Sequence, residues 1–148
     1  MNGADYTNEK VQLIATQCLS VRMRLLNRMV NSIYDTALRP HQVKASQMNI
    51  LVAVAFSGMT TSMELCQLLQ MDTSTFSRAL TRLRNNQWLV TEPSGDGKIL
   101  NIVISKGGLS KIEEVFPEWK QAQKEVAELL GGSATKAILE IGTKHLGK

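Results

Sequence analysis

The sequence has few cysteines, no long apolar run and few aromatic residues. Two cysteines in 148 residues cannot form the disulfide framework of a small secreted domain. The longest apolar stretch, residues 50–56, is far short of the roughly 20 residues that span a bilayer as a helix. The polar start, MNGADYTNEK, lacks the basic and apolar segments of a secretion signal. We therefore expect a cytoplasmic protein without a membrane partner.

Apolar residues are nevertheless abundant enough for a folded protein. They make up 43% of the chain, which is typical of globular proteins. A chain of this length fits one domain, so residues 1–148 are predicted to form a single domain. Such a domain can bury enough surface to be stable without a metal or a disulfide.

Basic residues outnumber acidic ones, and they are unevenly placed. Lys and Arg total 17 against 13 Asp and Glu, which gives a net charge of +4. Residues 73–86 contain Arg78, Arg82 and Arg84 and no acid. This distribution favours a polyanionic partner.

Two helices are predicted in the first third of the chain. Residues 9–37 carry apolar side chains at three- and four-residue steps, which predicts one long helix that ends before Pro40. A second helix is predicted from Ser46 to Phe56. Because its apolar run has no polar face, we expect it to be the buried central helix.

Two shorter helices and a hairpin follow. Thr61 and Glu64 match a capping box for a helix that ends near Leu69. Asp72 or Thr73 is expected to cap a fourth helix that ends near Asn86. Residues 88–91 and 99–105 then alternate as strands around a turn at 93–97, which predicts a β-hairpin.

The remaining sequence predicts two more helices. Ser105 is expected to cap a long helix that reaches about Leu130, with a kink at Pro117 and an apolar seam like that of a coiled coil. Gly131 and Gly132 break it before a final helix. The predicted fold is therefore mainly α with a small β-hairpin wing, which is a winged helix-turn-helix.

In this fold the fourth helix is the recognition helix. Its polar face is free of acids and can meet phosphates and base edges in a DNA major groove. Arg78 and Arg82 are one turn apart, and an arginine can pair both acceptors of a guanine. The predicted DNA-binding residues are Ser74, Thr75, Ser77, Arg78, Thr81 and Arg82 on this helix and Lys98 at the hairpin tip.

From about Val11 to Leu130 the chain resembles MarR-type transcriptional regulators. The resemblance is carried by residues 47–51 (QMNIL), 61–66 (TSMELC), 75–78 (TFSR), and 96–98 (DGK) with the strand, Ile104-Ser105 and Gly108 that follow. It implies a homodimer on double-stranded DNA, with dimerisation helices at 9–37 and 108–147 and a winged helix-turn-helix lobe at 42–105. The usual wing arginines are Gly97 and Lys98 here, and a usual glycine before the wing is Gln87.

Regulators of this type usually respond to a small-molecule effector or an oxidant. Peroxide-sensing members carry a reactive cysteine in the first helix, where Cys18 lies, and the cation of Arg22 is one turn away, as the reactivity of a thiol requires. Cys18 also lies on the apolar stripe, where cysteine is most often an inert hydrophobe, and we favour that interpretation. His41 and His145 are isolated in the sequence, so neither a metal nor a cofactor is expected.

The sequence thus predicts a sequence-specific DNA-binding regulator and not an enzyme. A repressor released by an effector is the expected form, acting as a homodimer on a pseudo-palindromic operator. The alternative is a winged-helix protein-interaction module without specific DNA binding, which the weakly basic wing with Glu92 favours.

Overall fold

A computed structural model describes residues 8–146, with side chains described through Lys144. The ends of the chain, including the last residue of the predicted 108–147 segment and the side chain of His145, lie outside this description. The chain divides into two compact units, and the boundary falls between Ser32 and Ile33. No helix of the described part is long and apolar enough to cross a membrane.

The first unit contains two helices where the sequence predicted one. Helix α1 spans Glu9–Gln17 and α2 spans Leu19–Leu38, so the prediction of one unbroken helix over 9–37 was wrong. Cys18 separates them with an extended ψ of 108°. The guanidinium of Arg22 donates to the Thr16 carbonyl at 2.5 and 3.2 Å, and this carbonyl has lost its normal helical partner at the break. The apolar stripe runs through the break, so its periodicity could not reveal it.

The second unit contains the helix-turn-helix. It begins with the last turn of α2 and a 3₁₀ turn at Arg39–His41, followed by α3 (Ala45–Ser57), the short strand β1 (Thr60–Thr61), α4 (Ser62–Leu68) and α5 (Thr73–Asn85). Helix α3 is central, and Ile50, Leu51 and Val54 are fully buried. The prediction of a buried central helix holds for this face but not for the whole apolar run, because Val52 is 46% exposed and Phe56 is 95% exposed.

The predicted caps close the N-termini of α4 and α5. The Glu64 amide donates to the Thr61 hydroxyl at 3.3 Å, and the Thr61 amide donates to the Glu64 carboxylate at 2.8 Å. This is the expected capping box. Of the two candidate caps for α5, the structure uses Asp72, whose carboxylate accepts from the Thr75 amide at 2.8 Å.

Helices α4 and α5 end in the same C-terminal motif, in which one residue has a left-handed backbone conformation. A glutamine is that residue in both helices. After α5 the Gln87 amide donates to the Arg84 carbonyl and the Trp88 amide to the Leu83 carbonyl, at 2.9 and 3.0 Å. These two bonds form a Schellman motif, in which glycine is preferred at the left-handed residue. Gln87 has φ +60° there, and Gln70 occupies the equivalent place after α4 with φ +51°.

The wing is part of a three-stranded antiparallel sheet. Strands β2 (Leu89–Pro93) and β3 (Leu100–Ile104) form the predicted hairpin, and β3 also pairs with β1, which gives the order β1-β3-β2. Strand β1 has two residues, too few for any alternation to predict it. Ile102 on β3 is 1% exposed and joins the core with Leu38, Leu65, Leu83, Leu89 and Val115.

Two helices complete the second unit, and a glycine lets the first of them approach the wing. Helix α6 spans Lys106–Leu130 and α7 spans Gly132–Leu146, with Gly131 between them at φ +79°. Ser105 caps α6, as predicted, by accepting from the Gly108 amide at 3.0 Å. A Cβ on Gly108 would lie 2.2 Å from the Trp88 carbonyl oxygen, so no side chain fits there without movement.

Candidate nucleic-acid interface

The predicted recognition residues of α5 share one face. Ser74, Ser77, Arg78, Thr81 and Arg82 are exposed, and Thr75 is half-buried. The opposite face carries Phe76, Ala79 and Leu83, which are buried in the core. Helical periodicity produces this division, because apolar side chains recur every three or four residues on the inner side. The structure thus brings the six predicted residues of α5 together.

The N-terminus of α5 is closed by Asp72. Its carboxylate accepts from the Thr75 amide and from the Ser74 hydroxyl, each at 2.8 Å. Hydrogen bonds from Thr75, and then from Ser74, lower the pKa of the Asp72 carboxyl from its usual 3.8 to about 2. The positive charge of Arg78 adds to this effect. Asp72 is therefore ionised at neutral pH, and its charge is engaged by the start of the helix.

The hydroxyl groups on this face differ in whether they already donate a hydrogen bond within the protein. Thr81 donates to the Ser77 carbonyl at 2.9 Å, a common bond of threonine within a helix, and Ser74 donates to Asp72. The described residues offer no hydrogen-bond partner to the Ser77 hydroxyl or to the guanidinium groups of Arg78 and Arg82. These three side chains have donors available to a ligand.

A groove runs beside α5 and includes residues that the sequence did not single out. Its volume is about 530 Å³. One side is formed by α5, and the other by Lys44, Ser46 and Gln47 at the start of α3. The positive charge of Lys44 is visible in the sequence. Its position beside α5 depends on helix packing, which a local pattern does not encode.

A second cavity of about 450 Å³ lies at the other end of α5. It is lined by Thr81, Arg84, Asn85, Leu89, Val90 and Thr91. Thr81 lines both cavities, so it lies between them on the helix. Arg84 is the cation of this second cavity, although it was not among the predicted DNA-binding residues.

Lys98 lies on the wing tip, away from the linings of both cavities. The tip is a compact turn in which the Asp96 carboxylate accepts from the Ser94 hydroxyl at 2.5 Å and from the Lys98 amide at 3.1 Å. These bonds, that from Ser94 first, lower the pKa of the Asp96 carboxyl. Glu92 is exposed on β2 of the same hairpin. The wing hairpin therefore carries one lysine and two carboxylates.

The predicted effector residues lie in the first unit. Cys18 is half-buried at the break between α1 and α2. The Arg22 guanidinium points to the Thr16 carbonyl, with Nη2 at 2.5 Å, and so it supports the helix break. An effect of Arg22 on the Cys18 thiol stays a prediction.

His41 is isolated in the sequence but not in the structure. Its Nδ1 lies 2.8 Å from the Glu114 carboxylate and its Nε2 lies 3.3 Å from that of Glu118, both on α6. The hydrogen bond with Glu114 is the main cause of a raised His41 pKa. Lys111 also pairs with Glu114, at 2.8 Å. The two ring nitrogens point in divergent directions, and within residues 8–146 no cluster of side chains is arranged to hold a metal ion.

The elements described above define the chain as a winged helix-turn-helix protein. A model of the MarR family matches residues 41–98, which cover the helix-turn-helix and the first half of the wing. A comparison with curated protein sequences found no match. Over residues 41–98 the chain is therefore similar to the MarR family.

Solved structures share this fold over most of the chain. A mutant of MarR from E. coli in complex with operator DNA is 18% identical, with a TM-score of 0.76 over 89% of this chain and 96% of that one. The regulator MosR from M. tuberculosis in complex with DNA is 22% identical, with a TM-score of 0.71 over 86% and 96%. BpsR from Bordetella bronchiseptica is 16% identical, with a TM-score of 0.72 over 87% and 94%.

Proposed function

We propose that this protein is a sequence-specific double-stranded DNA-binding regulator that acts in the cytoplasm through the exposed face of α5. The observation that carries this proposal is the combination of Arg78 and Arg82, free of ion pairs within the described residues, with a groove of about 530 Å³ beside them. Arginines on such a face can pair guanine edges and phosphates. The E. coli MarR and M. tuberculosis MosR structures that share the fold contain DNA, which supports this choice of ligand.

The proposed regulator is a homodimer. Apolar side chains of α1 and of the first part of α2 are about half exposed or more, among them Leu13, Ile14, Leu19, Val21, Met23 and Leu25. Phe116 on α6 and Leu139 and Ile141 on α7 are likewise 50–58% exposed. A second copy would remove this apolar surface from water, which stabilises association. Light scattering should then give twice the chain mass of 16.4 kDa, and a mass of one chain would contradict the dimer.

We further propose repression relieved by a small-molecule effector. The support is the fold shared with BpsR, a protein whose DNA binding is regulated by 6-hydroxynicotinic acid. The Cys18–Arg22 region of the first unit is our candidate for sensing an effector or an oxidant. For Cys18 itself we favour an inert apolar role, because cysteine on an apolar stripe is most often inert.

Selection of bound duplexes from a random DNA pool tests the main proposal, followed by anisotropy titration of the winner at two salt concentrations. A palindromic winner that is released by salt is expected. The variant Arg78→Ala should weaken binding by ~1–3 kcal/mol and relax specificity at one position. An unchanged site preference in this variant would refute base reading by Arg78.

The alternative function is a winged-helix module that binds a protein. The wing favours it, because Glu92 and Asp96 outnumber Lys98 there. Absence of any enriched duplex, together with only weak binding to any DNA, would favour this alternative, and binding to a protein partner through an apolar interface should barely change with salt.

A further inference from the structure

A continuous cationic surface extends from α5 to the end of α2. The groove beside α5 and a neighbouring cavity of about 340 Å³ share Lys44, Gln47 and Arg82 as lining residues. The neighbouring cavity adds Arg39 from the 3₁₀ turn and Asp35 from the end of α2. We call the surface made by Arg39, Lys44, Arg78 and Arg82 the cationic trough. The trough thus continues past the recognition helix.

The trough has an excess of uncompensated positive charge. None of its four cations forms an ion pair with an acidic side chain of the described residues. Asp35 is the acid that lines it, and its carboxylate accepts from the Ala45 amide at 2.7 Å. This bond caps α3 from another helix, since Lys44, the cap residue, provides no side-chain cap. Asp35 is therefore engaged, and the four cations attract an external anion.

The start of α3 supplies neutral donors to the same surface. Gln47 is only 7% exposed, and its side-chain oxygen accepts from the Lys44 amide at 3.0 Å. That bond uses the side-chain oxygen of Gln47, so its NH₂ group is the donor that remains, in a residue that lines both cavities. Ser46 adds a hydroxyl beside it. A buried amide donor, a hydroxyl and cations suit a phosphate group, which offers several acceptor oxygens.

We propose that Lys44, with Arg82 and Arg39, binds a backbone phosphate of the DNA duplex whose major groove α5 enters. This inference rests on the proposed DNA-binding function. In this arrangement the start of α3, more than the wing, supplies the contact with DNA that does not depend on base sequence. The wing hairpin carries Lys98 with two carboxylates, whereas the trough carries four cations and is lined by one carboxylate, that of Asp35. Phosphate contacts of this kind fix the register of the protein on DNA without reading bases.

Salt dependence of binding tests the proposal with the variant Lys44→Gln. Anisotropy is measured for full-length protein with two unrelated 30-bp duplexes at several salt concentrations. Loss of one phosphate contact lowers the salt slope by about 0.9 for each bound chain. Raising salt from 50 to 200 mM should then weaken the variant about 3.5-fold less per chain than it weakens wild type. The change should be equal for both duplexes, because backbone phosphates are common to every sequence.

Two further variants control for charge and for folding. Lys136→Gln removes the same charge from α7, where the lysine is 79% exposed, and should keep the wild-type slope. Lys44→Arg retains the cation and should also keep that slope. Circular dichroism at each condition verifies that the variants remain folded.

The outcomes separate this inference from the proposed function. Wild type that binds no duplex in a salt-dependent way overturns both. Wild type that binds, with an unchanged slope in Lys44→Gln, overturns the inference alone. A loss confined to one duplex would indicate base reading by Lys44 and also overturn it. If inorganic phosphate raises the Tm of wild type but not of Lys44→Gln, with equal slopes, the trough holds a free anion and not the backbone.

Discussion

Two adjacent glycines at the start of α6 should respond to alanine in opposite directions. A Cβ on Gly108 would lie 2.2 Å from the Trp88 carbonyl oxygen and 2.7 Å from Cγ1 of Ile104. A Cβ on Gly107 would meet its nearest atom, the Gln87 carbonyl oxygen, at 3.5 Å, which is ordinary contact. Both residues belong to the first turn of the same helix. The pair therefore isolates the effect of close packing from that of helix propensity.

The magnitudes follow from these distances. A carbon–oxygen contact is comfortable at about 3.3 Å, so Gly108→Ala must move α6 or the Trp88 backbone by roughly 1 Å. Overpacking of this kind typically costs about 1–3 kcal/mol. The same carbonyl accepts from the Ser105 amide at 3.1 Å, so the movement also strains the junction between β3 and α6. Gly107→Ala should stabilise by about 0.4–1 kcal/mol, because alanine restricts the unfolded chain.

Urea denaturation at one fixed protein concentration measures both changes, with tryptophan fluorescence and circular dichroism as probes. A fixed concentration is needed because stability of an oligomer depends on it. Trp88, one of the two tryptophans, lies at the Gly108 contact. Equal signs for the two variants, or a stabilised Gly108→Ala, would refute the packing argument.

Three further predictions concern strain and pH. Gln87→Gly should raise the free energy of unfolding by about 0.5–1 kcal/mol in urea titration, because relief of left-handed strain exceeds the extra entropy of glycine in the unfolded chain. A free energy of unfolding below that of wild type would contradict strain at φ +60°. The depressed pKa of Asp72 means that its ionised carboxylate stabilises the fold above pH 3.8, and this stabilisation is lost as pH falls toward 2. Asp72→Asn should therefore remove this component of acid unfolding, and an acid transition identical to that of wild type would count against it. The raised pKa of His41 acts in the opposite sense. The stabilisation by protonated His41 is complete below about pH 6.5 and is lost as pH rises through the pKa of His41 in the folded protein. The Tm should therefore fall as pH rises through this pKa in wild type but not in His41→Gln.

Local patterns predicted most elements, because helix caps and periodicity act over a few residues. The capping box of Thr61 and Glu64 and the cap of Ser105 were correct for this reason. Gly108 was one of the residues that carry the resemblance to known regulators. Its physical role, contact with the Trp88 carbonyl, appears only when the helix and the strand are packed together.

Features that depend on distant contacts could not be predicted. Asp35 caps α3 across ten residues of sequence, and His41 meets Glu114 across seventy-three. The break at Cys18 contains neither proline nor glycine, so no local signal marks it. For the site, the six residues of α5 followed from helical period, but the addition of Lys44 required the packing of α3 against α5.

The close approach of Gly108 to the Trp88 carbonyl sets the direction in which the long helix α6 extends from the wing. Helix α6 has 25 residues, and at 1.5 Å per residue it is about 37 Å long. A tilt of about 5° at its first turn displaces its last turn by roughly 3 Å, close to the ~3.4 Å rise of one base pair. In the proposed dimer, whose partner would contact the far half of α6, this tilt changes the separation of the two recognition helices. One methyl group at the first turn can therefore change the operator spacing that the protein accepts.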